Sequence, residues 1–189
     1  MIRKLAVASA LTLAAAVSAP AHAQLPFRLG VQAGVTTPTG DLGDVQGTGY
    51  HVGLLAEVKP IALPLGFRAD LTFHELDTDD DAIDVIGFDP GALRILNVNG
   101  NAIFTMPGIG LSPYLIGGIG WYRTYYAEAD DSDSNDFGFN VGGGIRFGLS
   151  GFTAAIEARY HRVSFGDDEA TGQDLGSAQF IPISFVLTF

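Results

Sequence analysis

The last eleven residues, Gln179-Phe-Ile-Pro-Ile-Ser-Phe-Val-Leu-Thr-Phe189, constrain the fold more than any other stretch. Ile181, Ile183, Phe185, Leu187 and Phe189 are large and apolar, while Pro182, Ser184, Val186 and Thr188 between them are smaller or more polar. That period of two belongs to a β-strand with one apolar face and one mixed face. Nothing follows Phe189. In an apolar setting the backbone N–H and C=O groups of such a terminal strand must be met by another strand. The sheet has to close.

The same period recurs upstream in segments of about strand length, and helix-period patterns are absent. We read strands at Phe27–Thr36, Tyr50–Val58, Leu65–Glu75, Arg94–Thr105, Ser112–Tyr126, Phe137–Leu149, Phe152–Val163 and Gln179–Phe189. Each supplies the ~9–11 tilted residues that cross a bilayer. The connections alternate in length. Lys59–Pro64, Met106–Leu111 and Leu149–Gly151 are short, whereas Pro38–Gly49, Leu76–Gly91, Ala127–Asp136 and Ser164–Ala178 are long and polar.

An even number of strands, short turns at one end and long loops at the other resemble the small outer-membrane barrels of Gram-negative bacteria, of the outer-membrane protein A and X type. Pro113-Tyr-Leu-Ile-Gly-Gly-Ile-Gly120 and the Phe-ending last strand carry the resemblance most clearly, and it covers residues 24–189. It implies an all-β fold, an eight-stranded antiparallel up-and-down transmembrane β-barrel, with the short turns in the periplasm. It also implies that Phe189 is an insertion signal read by the outer-membrane assembly machinery.

The N-terminus fits that address. Arg3 and Lys4 precede an apolar run from Leu5 to Val17, and Ala21-His22-Ala23 is an A-x-A cleavage pattern. Residues 1–23 are expected to be a signal peptide, too short in its apolar part to span a membrane, and 24–189 one barrel domain. Cleavage leaves 8 basic residues against 21 acidic, a net charge of −13. So acidic a chain has no electrostatic reason to bind nucleic acid. There is no cysteine, so an exported fold here does without disulfides.

Polarity separates a membrane barrel from a soluble one of the lipocalin kind. Arg28, Glu57, Arg68, Asp70, Arg146, Glu157 and Arg159 share one face with Asn, Gln, Thr and Gly, and the other face is nearly uncharged along the middle of each strand. A lipid-facing Arg at mid-membrane costs about 2–4 kcal/mol, so the charged face points inward. Outward aromatics fall near strand ends. Tyr50, Phe73, Trp121, Tyr125, Phe137 and Tyr160 lie at the loop end, and Phe27, Phe67, Phe104, Phe147, Phe152 and Phe189 at the turn end. Two such rings match two membrane–water interfaces.

The near balance of inward Arg and carboxylates predicts an ion network, because buried charges need partners. Eight strands enclose room for their own side chains or one small ligand. A plugged lumen is therefore expected, with inward glycines making space for Tyr114, Tyr122 and the arginines; a narrow channel or small-ligand barrel is the alternative. His51, His74 and His161 also point inward near the loop end. They are either ordinary members of the polar interior or a metal site or pH-sensitive gate, and no ligand spacing supports the latter.

Two surface features remain. Outward parity places Arg94, Arg123 and Arg162 at the extracellular rim. They either hold lipopolysaccharide phosphate, as Arg geometry allows, or pair with acids such as Glu75 for Arg94 and Asp136 for Arg123. Seventeen of the 21 acids lie in the long loops. Asp77–Asp81 and Asp130–Asp136 lack the Gly and distal Glu of an EF-hand, so they read as solvated loops rather than a calcium site.

Function is less sharply written. The expectation is a non-enzymatic monomer that serves envelope integrity or surface interaction through its acidic loops, without cofactor or metal. A lipid A-modifying enzyme is the third reading. Its candidate trio, His161, Ser164 and Asp167, splits between lumen and loop, and no G-x-S-x-G motif is present.

Overall fold

The computed structural model describes residues 27–60, 65–78, 91–126, 134–165 and 176–189. The expected signal peptide and its cleavage site lie outside these residues, as do most acids of the last three long loops.

Eight strands form a closed antiparallel barrel in sequence order: β1 Phe27–Thr39, β2 Gly49–Val58, β3 Leu65–Leu76, β4 Leu93–Thr105, β5 Leu111–Tyr126, β6 Ser134–Leu149, β7 Phe152–Ser164 and β8 Ser177–Thr188. Closure runs from Gly30↔Thr188 to Thr39↔Gln179 between β1 and β8. One further bond, from the Phe189 N–H to the Leu29 carbonyl at 2.8 Å, fastens the chain end. The backbone groups that the terminal strand had to satisfy are met there.

The period of two sets what each face meets. Val52 and Leu54 are 50 % and 54 % exposed on the outside, while His51 and Glu57 of the same strand are 1 % and 3 % exposed within. Cross-strand partners share a face, so outward Leu71, Val98 and Trp121 form one rung and inward Arg68 and Asn101 another. The polarity is that of a membrane barrel.

Several strands run past the expected limits. β1 continues through Thr39, because Thr37, Pro38 and Thr39 keep their rungs with β8 after β2 has left the ladder. Pro38 needs no N–H toward a strand that is no longer there. A 3-10 turn, Gly40–Asp44, then opens the first loop, with Gly40 at φ 61° in the left-handed region that glycine enters freely. β6 starts at Ser134 and β8 at Ser177, inside stretches read from sequence as loop. Their residues there are polar, but the ladder continues above the apolar belt.

One ladder is interrupted. Between β7 and β8 the rungs pass from Ala158↔Ile183 to His161↔Phe180, skipping the pair of positions that contains Pro182. Proline has no N–H to give to Arg159 or Tyr160 opposite.

Phe189 itself is half exposed on the outer face, its ring centroid 6.3 Å from that of Phe152 at the turn end. Deleting it removes the last backbone bond and one member of the aromatic girdle. The folded, heat-modifiable band on unboiled gels should fall severalfold; an unchanged folded yield would remove any special role for this residue.

Candidate functional site

The lumen is filled in three layers. At the turn end, Leu55, Ile103, Tyr114, Ile116, Ala155 and Val186 form an apolar floor. At the loop end, Leu76, Leu93, Ile95, Tyr122, Val163, Ala178 and Phe180 form a second apolar cluster, with Leu42, Tyr126 and Phe165 packed against it. Charge and hydrogen bonding occupy the space between.

The ion network follows from barrel geometry. Strands four apart in an eight-stranded barrel face each other across the lumen and run in the same direction. Inward residues on β3 and β7 therefore keep a constant offset, and Arg68-x-Asp70 meets Glu157-x-Arg159 with opposite order of charge. Arg68 Nη2 donates to Glu157 Oε1 at 2.6 Å, and Arg159 Nη1 to Asp70 Oδ2 at 3.2 Å. Within each strand Arg68 Nε lies 3.0 Å from Asp70 Oδ1, and Arg159 Nε 3.0 Å from Glu157 Oε1. Four charges thus close a ring. The opposed strands β2 and β6 add a bidentate pair, Arg146 Nη1 and Nη2 each 2.9 Å from one oxygen of Glu57. Three arginines balance three carboxylates, which is what makes their burial tolerable.

Neutral groups complete the layer. Tyr114 OH donates to Glu157 Oε2 at 2.6 Å, and its ring lies 4.9 Å below the Arg146 guanidinium carbon. Asn101 donates to Asp70, Arg159 Nη2 reaches Gln32 Oε1 at 3.4 Å, and Gln32 Nε2 donates to Thr72 at 2.7 Å. Inward glycines permit this. A Cβ on Gly144 would sit 2.7 Å from the Tyr114 ring and hydroxyl, and one on Gly142 would sit 2.8 Å from Arg159 Cγ.

Above the ions lie the three histidines. Thr36 Oγ1 is 2.9 Å from His51 Nδ1 and 2.8 Å from His74 Nδ1. The single hydroxyl proton can serve only one of them, so the other ring must donate its Nδ1–H. His51 Nε2 contacts Ser184 at 2.9 Å, and His161 Nδ1 contacts Tyr122 OH at 2.8 Å. Phe180 stacks on His161 with centroids 4.9 Å apart and planes at 17°. Most ring nitrogens are thus engaged by hydroxyls, and among the described residues no group of three His, Asp or Glu side chains is arranged to hold a metal.

Of the network residues expected from sequence, Glu57, Arg68, Asp70, Arg146, Glu157 and Arg159 come together. Arg28 does not. It has inward parity but stands exposed at the turn-end mouth. Its rung partner Glu57 has given both oxygens to Arg146, so Arg28 is left outside the network. Sequence reasoning missed Phe180, a large aromatic inside the barrel, and the roles of Thr36, Gln32 and Ser184. The complementary order of R-x-D and E-x-R was the available signal for the ion ring.

The rim arginines are on the outer surface. Arg94 Nε donates to Glu75 Oε2 at 2.8 Å, and Tyr50 OH donates to Glu75 Oε1 at 3.1 Å. Arg123 and Arg162 are exposed, beside Asn135 and Gln179 respectively. Asp136 accepts a hydrogen bond from Ser134 Oγ and carries the inward parity of β6, opposite to that of Arg123. Phe189 is at the other end of the barrel.

A closed antiparallel barrel with an apolar exterior and an ionic interior defines a transmembrane barrel of the Gram-negative outer membrane. The sequence matches the outer membrane protein beta-barrel domain over residues 7–189, and the chain belongs to that family. No curated protein matches the sequence. Among solved structures, Neisserial surface protein A is similar with a TM-score of 0.61 at 13 % identity, covering 87 % of this chain and 96 % of that one. OprG from Pseudomonas aeruginosa gives 0.54 at 13 % identity, covering 86 % and 95 %. The outer membrane enzyme PagL gives 0.51 at 14 % identity, covering 86 % and 98 %. At these identities the likeness is one of fold.

Removing one partner of a buried ion pair leaves an uncompensated charge and costs about 3–5 kcal/mol. Arg146→Ala should therefore lower the urea unfolding midpoint far more than Arg94→Ala, whose pair with Glu75 is exposed to screening. Equal midpoints would mean a lumen wet enough to screen the network. Gly144→Leu should prevent folding outright, since the leucine and Tyr114 would claim the same space; a normal heat-modifiable band would contradict the placement of Tyr114.

Proposed function

We propose that the protein is a non-enzymatic, non-conducting outer-membrane barrel that serves envelope integrity or surface interaction by presenting its acidic loops. One observation carries this reading: the lumen is occupied by side chains from the Tyr114 floor to the Phe180 layer, with an ion network between them. A solute would have to break that network to pass. The chain folds as a monomer with the assembly machinery and membrane lipid as its partners, and needs no cofactor.

Lipid A chemistry is disfavoured by parity. His161 faces the lumen on the rung of Asn140, whereas Ser164 faces outward on the rung of Phe137. A base and nucleophile on opposite faces of one strand do not come within hydrogen-bond reach.

At the extracellular rim, Arg94, Arg123 and Arg162 hold lipopolysaccharide phosphate. The Arg94–Glu75 pair leaves this reading intact, since Nε is the nitrogen engaged there and a guanidinium has five N–H donors.

Reconstituted in planar bilayers, the mature protein should give no discrete conductance steps; reproducible ohmic steps would replace this reading with the narrow-channel one. Lipopolysaccharide should raise the thermal midpoint of the wild type, and the Arg94/Arg123/Arg162→Gln triple variant should lose most of that shift. The same shift in both proteins would remove the rim arginines from lipid recognition.

A further inference from the structure

A large concavity of the barrel lies on its outer wall. A groove of about 630 Å³ opens between β1 and β5 on the membrane-facing side. Ala69, Gly100, Ala102 and Gly117 form its floor, with Phe67 and Ile119 at opposite corners. The volume falls within the roughly 300–1,000 Å³ of small-molecule sites. Two rungs cross it, Ala69–Gly100–Ile119 and Phe67–Ala102–Gly117.

The fold does not require the glycines in this floor. A Cβ on Gly100 would meet no atom within 4 Å, and one on Gly117 only ordinary contacts from 3.5 Å. The inward neighbours differ: a Cβ on Gly118 or Gly120 would fall 2.1 or 1.9 Å from other atoms. Packing imposes glycine at 118 and 120 and does not impose it at 100 and 117. Glycine inside a strand weakens it, and commonly marks close approach by something else. At Gly100 and Gly117 the open side is the lipid side.

The surroundings name its chemistry. At this depth only apolar matter is available, and an unfilled groove forfeits dispersion contacts along its lining. The groove runs down to Val58, and the next residue, Lys59, is exposed at the turn end. The turns Lys59–Pro64, Met106–Leu111 and Leu149–Gly151 contain no Asp or Glu, so Lys59 faces an end of the barrel that attracts anions. Ala56, on the rung of Ala69, is three residues from Lys59, about 10 Å along the strand. A second copy of the chain fits less well, because a two-fold contact over this groove would bring Lys59 toward Lys59.

We propose that the groove binds one anionic glycerophospholipid of the periplasmic leaflet, an acyl chain lying over Gly100 and Gly117 and the phosphate held by Lys59. Lipid tails are as apolar as the wall, so the slot contributes shape and the lysine contributes choice of headgroup.

The test is native mass spectrometry of the full mature chain, folded in non-ionic detergent and titrated with phosphatidylglycerol or with phosphatidylcholine of the same acyl chains. The wild type should retain one phosphatidylglycerol. Gly100→Leu/Gly117→Leu, which fills space that is open in the barrel, should keep the heat-modifiable band and lose the bound lipid. Lys59→Gln should bind phosphatidylglycerol about fivefold more weakly and lose the preference over phosphatidylcholine. Equal retention by wild type and the leucine variant overturns the site, and so does no retention by the wild type. An unchanged headgroup preference in Lys59→Gln overturns the role of the lysine. A wild-type dimer abolished by the leucines would make a second copy the occupant and refute the lipid.

Discussion

A backbone in hydrocarbon has no water to bond to, so every N–H and C=O must find a partner within the protein. Closure of β1 on β8, from Gly30↔Thr188 to Thr39↔Gln179, is how this chain meets that demand. Much else depends on it. Eight strands closed on themselves fix a narrow lumen, and the narrow lumen decides that side chains fill it. The one break in the ladder, opposite Pro182, is on the inner, buried parity of β8 rather than at an exposed edge.

The interior carries its charge under strict terms. Desolvating an isolated carboxylate or guanidinium is expensive, and the attraction between partners offsets it only with good geometry and further hydrogen bonds. The ring of Arg68, Asp70, Glu157 and Arg159 meets those terms by pairing each charge twice, along a strand and across the lumen. Tyr114, Asn101 and Gln32 add one further hydrogen bond each, to Glu157, Asp70 and Arg159 respectively. Such pairing ties together strands that share no ladder, β3 with β7 and β2 with β6. It braces the barrel across its diameter, where backbone hydrogen bonds cannot reach.

The outer wall obeys a different rule. Against lipid there is no hydrophobic gain in burying one more methylene, so shape and charge at the interfaces matter more than apolar area. Aromatic rings sit at the two levels where hydrocarbon meets headgroups, and Arg94, Arg123 and Arg162 stand on the outer face at the loop end. Gly100 and Gly117 hollow that wall between β3 and β5.

What the sequence determined by itself was everything that a period of two can encode. It assigned the central residues of the eight strands to the lumen or the lipid, required the terminal strand to close on another, and alternated short turns with long loops. Period two says nothing of height around the barrel, and the tertiary structure decided that. The stagger between strands set which rungs face each other across the lumen, and so paired Arg146 with Glu57 and left Arg28 at the mouth with the same parity but no partner in the network. It brought Phe180 onto His161, residues on neighbouring strands whose meeting depends on a single rung. It also lined up Ala69, Gly100, Ala102 and Gly117 into one groove, although they come from three strands whose sequences show only that each carries small outward residues. Facing is local and follows from the chain; adjacency across strands is set by how the whole sheet closes.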